Sequence, residues 1–136
     1  MRLEVSRRAD LASRALATLT SDGRRLKAAQ LAARVGTTPG FLSQALTPLL
    51  GRGWVRSEPG PTGGYVATEA AADVSVLDVI EAIEGPTDQG QCVLEDRPCL
   101  GAGQCILHRP WDRARTQLLA ELRGTPVSRA ARCEAR

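Results

Sequence analysis

Three of the four cysteines fall in one stretch, Cys92, Cys99 and Cys105, at C-x6-C-x5-C, and the only histidine, His108, follows the last of them after two residues. Thiolate sulfur and neutral imidazole are the donors of iron-sulfur clusters and of structural zinc. The spacers hold Pro98, Gly101 and Gly103, residues that turn a backbone. Three thiols can therefore curl around one centre, where a regular helix or strand would scatter them. Two metal chemistries stay open on these residues. One is an iron-sulfur cluster of four or two irons; the other is zinc on a Cys3His set, although this spacing lacks the short C-x2-C knuckle common in structural zinc. A disulfide is a third reading, favoured only in an oxidising compartment. Cys133 lies far along the chain in an Ala/Arg-rich segment and reads as a spare thiol.

No other group of residues suggests catalysis. A single histidine inside the cysteine stretch leaves no Ser/His/Asp set, and a Cys/His nucleophile would need a larger substrate cleft than 136 residues permit. Glu81 and Glu84 are helix-surface residues by spacing. Pro61-Thr62-Gly63-Gly64 is glycine-rich but precedes a strand and has no following Lys-Ser/Thr, so it is not a phosphate loop. Residues 1–10 are charged and hold no apolar leader core, and no apolar run approaches the roughly eighteen residues of a membrane span. The expectation is a cytoplasmic protein with no membrane partner, where clustered cysteines bind metal or do redox chemistry.

Charge is distributed unevenly. Residues 1–65 carry ten Lys/Arg against four acids, whereas the remainder carries eight against eleven, beneath a net charge of +3. A basic N-terminal half suits a phosphate backbone. Residues 6–19 place Leu11, Ala15, Leu16 and Leu19 on one helical face, and Ser21-Asp22-Gly23 ends that helix. A second helix over 26–35 stops at Gly36. Thr38 then caps a third, with Pro39 at its first position; it turns Phe41, Leu42, Ala45, Leu46 and Leu49 inward and Ser43, Gln44 and Thr47 outward.

Two short helices about a glycine turn, the second with a polar outer face, describe a helix-turn-helix. Trp54–Ser57 and Tyr65–Ala67 read as a hairpin across a Gly/Pro turn, which is the wing of a winged helix. Pro48 is expected to bend or weaken the second half of the recognition helix. Ser75 caps a further helix to Glu84, with Asp78 at the capping-box position and Gly85 as its stop. Trp111, Ala114, Leu118, Leu119 and Leu122 form an apolar stripe on a helix from about His108 to Arg123. That stripe reads as a dimer helix or, equally, as a face packed within its own chain. Gly124 to Arg136 is expected to fray. The fold class is mainly α with a small β-hairpin wing: a winged helix-turn-helix over 1–72, a cysteine loop and dimerisation helices over 73–124, and a tail over 125–136.

Several stretches taken together resemble the IscR/NsrR family of winged-helix transcription regulators. They are Met1-Arg2-Leu3, Ala9-Asp10-Leu11-Ala12 with Arg14-Ala15-Leu16, Gln30-Leu31-Ala32, Leu42-Ser43-Gln44 with Leu46, Gly60-Pro61 with Gly63-Gly64-Tyr65, Val79-Ile80 with Ala82-Ile83-Glu84-Gly85, and the three-cysteine loop. The resemblance implies a homodimer that binds a palindromic double-stranded DNA operator, as a repressor. It also implies an iron-sulfur cluster on Cys92, Cys99 and Cys105, through which nitric oxide, redox state or cluster supply is sensed. For the fourth ligand it offers His108, placed as in IscR-like members, or Asp10, placed where NsrR-like members supply a carboxylate from the partner subunit. Asp10 is slightly favoured; flanked by Arg7, Arg8 and Arg14, it otherwise makes a surface ion pair. DNA contacts are expected from Ser43, Gln44 and Thr47 to bases, and from Thr38, Arg52, Arg56 and the wing at Gly63 to the backbone. Two departures stand out: the first cysteine gap is x6 where the family more often has x5, and Pro59, preceded by Glu58, replaces the wing arginine. A zinc-bound winged-helix regulator and a small iron-sulfur or redox carrier are the alternative functions.

Overall fold

The computed structural model describes residues 5–87, 90, 92–94, 97–99 and 104–133. Its central element is helix α1 (Arg7–Asp22). Ser6 caps it by accepting from the Ala9 amide at 3.1 Å, and Gly23, at φ 67°, turns the chain out of it. Ala9, Leu11, Ala12, Ala15, Leu16 and Leu19 on this helix are all buried. Against them pack α2 (Ala28–Val35) and α3 (Pro39–Gly51), through Leu31, Val35, Leu42, Ala45, Leu46 and Leu49. Truncating one of these leucines to alanine would cost about 2–5 kcal/mol, since the close-packed site refills only in part.

Helix α3 begins as expected: Thr38 Oγ1 accepts from the Phe41 amide at 3.2 Å, and Pro39 opens the first turn. One expectation about it, that Phe41 points inward, is corrected. The helix runs on through Pro48 to Gly51; proline removes the donor that would serve the Gln44 carbonyl, and Arg8 Nη2 serves it instead at 3.1 Å. Phe41 does not point inward but is 36% exposed, with the Arg7 guanidinium 6.0 Å from its ring centre. In the first turn of α3 no element among the described residues buries it.

The wing is an antiparallel pair, β1 (Val55–Glu58) and β2 (Gly64–Ala67), in the register Val55↔Ala67 to Glu58↔Gly64. Its turn needs both glycines. A Cβ at Gly63 would lie 2.0 Å from the Glu58 carbonyl oxygen, and one at Gly64 would lie 2.2 Å from that of Leu26. Leu26, just before α2, exchanges two backbone hydrogen bonds with Tyr65 at 2.9 and 2.8 Å, which fastens the wing to the helix-turn-helix.

Helix α4 (Val76–Glu84) starts with the expected capping box: the Ser75 amide donates to Asp78 Oδ2 at 2.8 Å and the Asp78 amide to Ser75 Oγ at 3.1 Å. Its far end is tied to α1 by the Ser6 amide, which donates to Glu84 Oε1 at 2.9 Å. Helix α5 (His108–Arg123) lies against α4 but buries none of its residues fully. Beyond it the expected fraying is corrected through Cys133. A short 3-10 helix, Val127–Cys133, packs on α1, with Val127 in the core and its amide donating to the Val74 carbonyl at 3.0 Å. No helix among the described residues is long and apolar enough to cross a membrane.

Candidate metal centre and nucleic-acid interface

The thiols of Cys92, Cys99 and Cys105 converge, with their sulfurs all within 4.8 Å of one another. Cys92 Sγ and Cys105 Sγ are 3.7 Å apart, far beyond a disulfide bond of about 2.05 Å, and none of the three is in a disulfide. Backbone bonds hold the stretch: the Cys92 amide donates to the Arg97 carbonyl at 2.9 Å, and the His108 amide, opening α5, donates to that of Cys105 at 3.0 Å. Two more amides point at sulfur, Leu94 N–H to Cys92 Sγ at 3.4 Å and Cys105 N–H to Cys99 Sγ at 3.1 Å. Such donors favour sulfur as thiolate, the form that binds metal. Partial burial, reinforced by the hydrogen bond with Cys92, pushes the Cys105 thiol up from its ordinary value. A metal must therefore displace a proton there.

The three thiols line a cavity of about 60 Å³ together with His108, Trp111, Asp112 and Arg115. Those four residues stand at i, i+3, i+4 and i+7 on α5, one face of the helix. Sequence reading missed Trp111, Asp112 and Arg115, although the spacing from His108 carried the signal. His108 thus reaches the cavity wall, while Asp10 does not line it within this chain. Asp10 lies in the first turn of α1, exposed, with Oδ2 accepting from Arg14 Nη2 at 3.1 Å and Nε at 3.2 Å. The described side chain set within 4.8 Å comprises the three thiols, and neither Asp10 nor His108 of the same chain joins it. The side chain of Cys133 lies outside the described structure.

On the opposite concern, DNA, Ser43, Gln44 and Thr47 form the exposed face of α3. Thr47 Oγ1 donates back to the Ser43 carbonyl at 2.9 Å, and the Thr38 hydroxyl is engaged in capping. Arg52 is exposed, its guanidinium 5.8 Å from the Trp54 ring centre. Arg56 sits on the wing 3.8 Å from Glu58, whose other oxygen pairs with Arg25. Gly63 is buried and shapes the wing turn. Arg7 and Arg8 also reach this face, where they hold Phe41 and the Gln44 carbonyl; their positions in the first turn of α1 gave no sign of it.

The pattern of the Rrf2 family, described as iron-dependent transcriptional regulator, matches residues 5–132. The chain belongs to the Rrf2 family. It is a transcription regulator of the winged-helix kind, and its relatives are regulators rather than enzymes. It is 28% identical over 116 residues to an HTH-type transcriptional regulator of Aquifex aeolicus, covering 83% of this chain and 81% of that one. It is 30% identical over 93 residues to the HTH-type transcriptional regulator IscR of Escherichia coli, a match that takes in 68% of this chain and 57% of that protein. The fold is that of CymR, the global cysteine regulator of B. subtilis, at TM-score 0.78 and 20% identity over 98% of this chain and all of the other. T. potens IscR is similar at TM-score 0.72 and 21% identity, over 93% and 84% of the two chains. Within this Rrf2 chain the three converging thiols form a group that could hold a metal ion.

Proposed function

We propose that this chain is a homodimeric repressor whose binding to a palindromic operator is governed by an iron-sulfur cluster on Cys92, Cys99 and Cys105. The observation that carries the reading is the convergence of three half-buried thiols with amides directed at two of them. When bound, a cluster of four or two irons supplies a centre that nitric oxide, oxygen or a change of redox state alters. The donor set suits it, since thiolates are the ligands of such clusters. His108 or Asp10 of the partner subunit completes the ligand set.

The division of labour follows the sequence division: residues 1–72 for DNA, 73–124 for sensing and pairing, and 125–136 as the tail. α3 enters the major groove with Ser43, Gln44 and Thr47 toward base edges, the Gln44 amide being suited to adenine. Its N-terminus at Thr38, with Arg52, Arg56 and the wing at Gly63, takes the phosphates. The apolar stripe of α5 meets its copy, so two recognition helices face half-sites one helical turn apart. Glu84 ends the helix just before the cysteine loop and accepts from the Ser6 amide, while Arg8 two residues later holds α3. A rearranged loop thereby acts on the recognition helix through α1, and shifts of a few ångströms mismatch two grooves.

Zinc is the second reading, and the sulfur spacing favours it. A tetrahedral ion with bonds of about 2.3 Å sets its sulfurs about 3.8 Å apart, against 3.7 Å for Cys92 and Cys105. Cysteines that bind separate irons must spread further. Anaerobic purification followed by absorbance and Mössbauer spectroscopy separates the two. A coloured, sulfide-containing protein bleached by each of the three Cys→Ala changes, but not by Cys133→Ala, supports the cluster; stoichiometric zinc without sulfide overturns it. A monomer without sequence preference in operator selection overturns the repressor, and leaves an iron-sulfur carrier.

A further inference from the structure

We propose that the indole N–H of Trp111 is a hydrogen-bond donor for a sulfur atom of the centre held by Cys92, Cys99 and Cys105, which makes Trp111 a positioning residue for that centre. The inference rests on the metal reading above, whichever metal occupies the site. Trp111 follows His108 by one turn of α5 and lines the cavity with the three thiols. Its Nε1 is the one buried side-chain nitrogen or oxygen among the described residues that has no hydrogen-bond partner. Indole N–H groups usually find a partner when buried, and a donor left without one carries a desolvation cost. The fold tolerates that cost at one place, on the wall of the thiol cavity.

The acceptor is chosen by what surrounds the ring. Asp112, next on the helix, accepts from Arg115 Nη2 at 2.9 Å, and its carboxylate is half exposed to solvent. His108 and the main chain of Gly90 and Val93 also line the wall, but among the described groups there the three sulfurs are the ones that gain negative charge when a metal binds. A neutral thiol is a weak acceptor. A metal-bound thiolate, or an inorganic sulfide of a cluster, carries negative charge and accepts more strongly. Two backbone amides already serve Cys92 and Cys99, so the indole adds a third N–H from the α5 side. Arg115, on the same face, is paired with Asp112, so the two charges largely cancel beside the centre. Hydrogen bonds to the sulfurs help to set the potential of such a centre, and groups behind the ligands tune its affinity.

The test uses the full chain, titrated anaerobically with Co(II) as a probe of the thiol site, and reconstituted separately with iron and sulfide. Trp111→Phe keeps an aromatic ring but loses the N–H; benzothienylalanine at the same position keeps the indole shape and replaces N–H by sulfur. Both are expected to weaken Co(II) binding about tenfold or more, read from the thiolate charge-transfer band, and to lower the reduction potential of the reconstituted centre. A packing role alone would leave the benzothienylalanine protein like wild type in both measurements, and that result overturns the proposal even if Trp111→Phe misfolds. A wild-type chain that binds neither Co(II) nor iron and sulfide overturns the metal reading itself, and the proposal with it.

Discussion

Arg8 donates from Nη2 to the main-chain oxygen of Gln44 at 3.1 Å, and that oxygen is the one Pro48 leaves without its helical donor. The relationship joins α1 to the backbone of a residue on the proposed DNA face of α3. Proline in a helix interior forfeits one bond and crowds the turn before it; here a cation from α1 replaces the lost donor. Removing Arg8 should thus cost more than an ordinary surface substitution. Arg8→Ala is expected to destabilise by about 1 kcal/mol, measured by urea unfolding. In a Pro48→Ala background, where the helical N–H is restored, the same change should cost much less. Equal losses in both backgrounds would show that the two residues do not communicate.

Glu58 is the acid that most affects the wing. It pairs with Arg25 and lies 3.8 Å from Arg56, so two cations near the proposed DNA face are partly committed within the protein. Neutralising it should release them to phosphates. Glu58→Gln is expected to tighten binding to operator and to unrelated duplex alike, and to steepen the dependence of log affinity on log salt by about 1 to 2 units. Fluorescence anisotropy across a salt series measures both. An unchanged slope means that Arg25 and Arg56 stay on the wing and contact no phosphate.

The stripe on α5 makes the oligomeric state testable. Leu118 is 36% exposed, and although Trp111, Leu119 and Leu122 are half-buried by the rest of the chain, no residue of this helix is fully buried. A second copy laid against the stripe would remove it from water. Leu118→Glu should therefore convert a dimer into a monomer, seen by light scattering at micromolar concentration, and weaken operator binding while leaving the α1 to α3 core folded by circular dichroism. A variant that remains a dimer places the interface elsewhere.

Much of this architecture was legible because it rests on local rules. Thr38 and Ser75 announce their helices as capping residues, the paired glycines 63 and 64 fit only a turn whose neighbours' carbonyls crowd it, and C-x6-C-x5-C allowed the thiols to meet. What escaped depends on contacts between distant segments. Phe41 sits beside Leu42 in an apolar run, and only the absence of a covering element decides that it is exposed. Val127 belongs to an Ala/Arg-rich segment whose composition suggests fraying, yet it fills a gap against α1 and Val74. Arg8 looks like one more basic residue until Pro48 gives it an oxygen to serve. For the thiol site, the α5 wall of Trp111, Asp112 and Arg115 became meaningful only once the folded cysteine stretch was seen to lie against that helix.

The choice of fourth ligand is where the geometry leaves a real contrast between two residues. His108 lines the cavity with the three thiols, and as a ligand it would keep the whole set in one chain. Asp10 is engaged with Arg14 at 3.1 and 3.2 Å on an exposed helix turn, a kind of ion pair worth under about 1 kcal/mol. It can be surrendered at little cost. Arg14 would keep a partner, because it also donates to the Val35 carbonyl at 3.0 Å. A carboxylate from the partner subunit would be a hard, labile ligand beside three soft thiolates, marking the position most open to attack. It would also tie the metal directly to α1, the helix whose Arg8 holds α3. On that account Asp10→Ala should alter the absorbance of the anaerobic protein and reduce the difference in operator affinity between loaded and metal-free forms, while His108→Ala should leave both nearly unchanged. If Asp10→Ala keeps the wild-type spectrum and switching and His108→Ala loses them, the ligand set closes within one chain, and any coupling to DNA must run through the Glu84 bond to Ser6 instead.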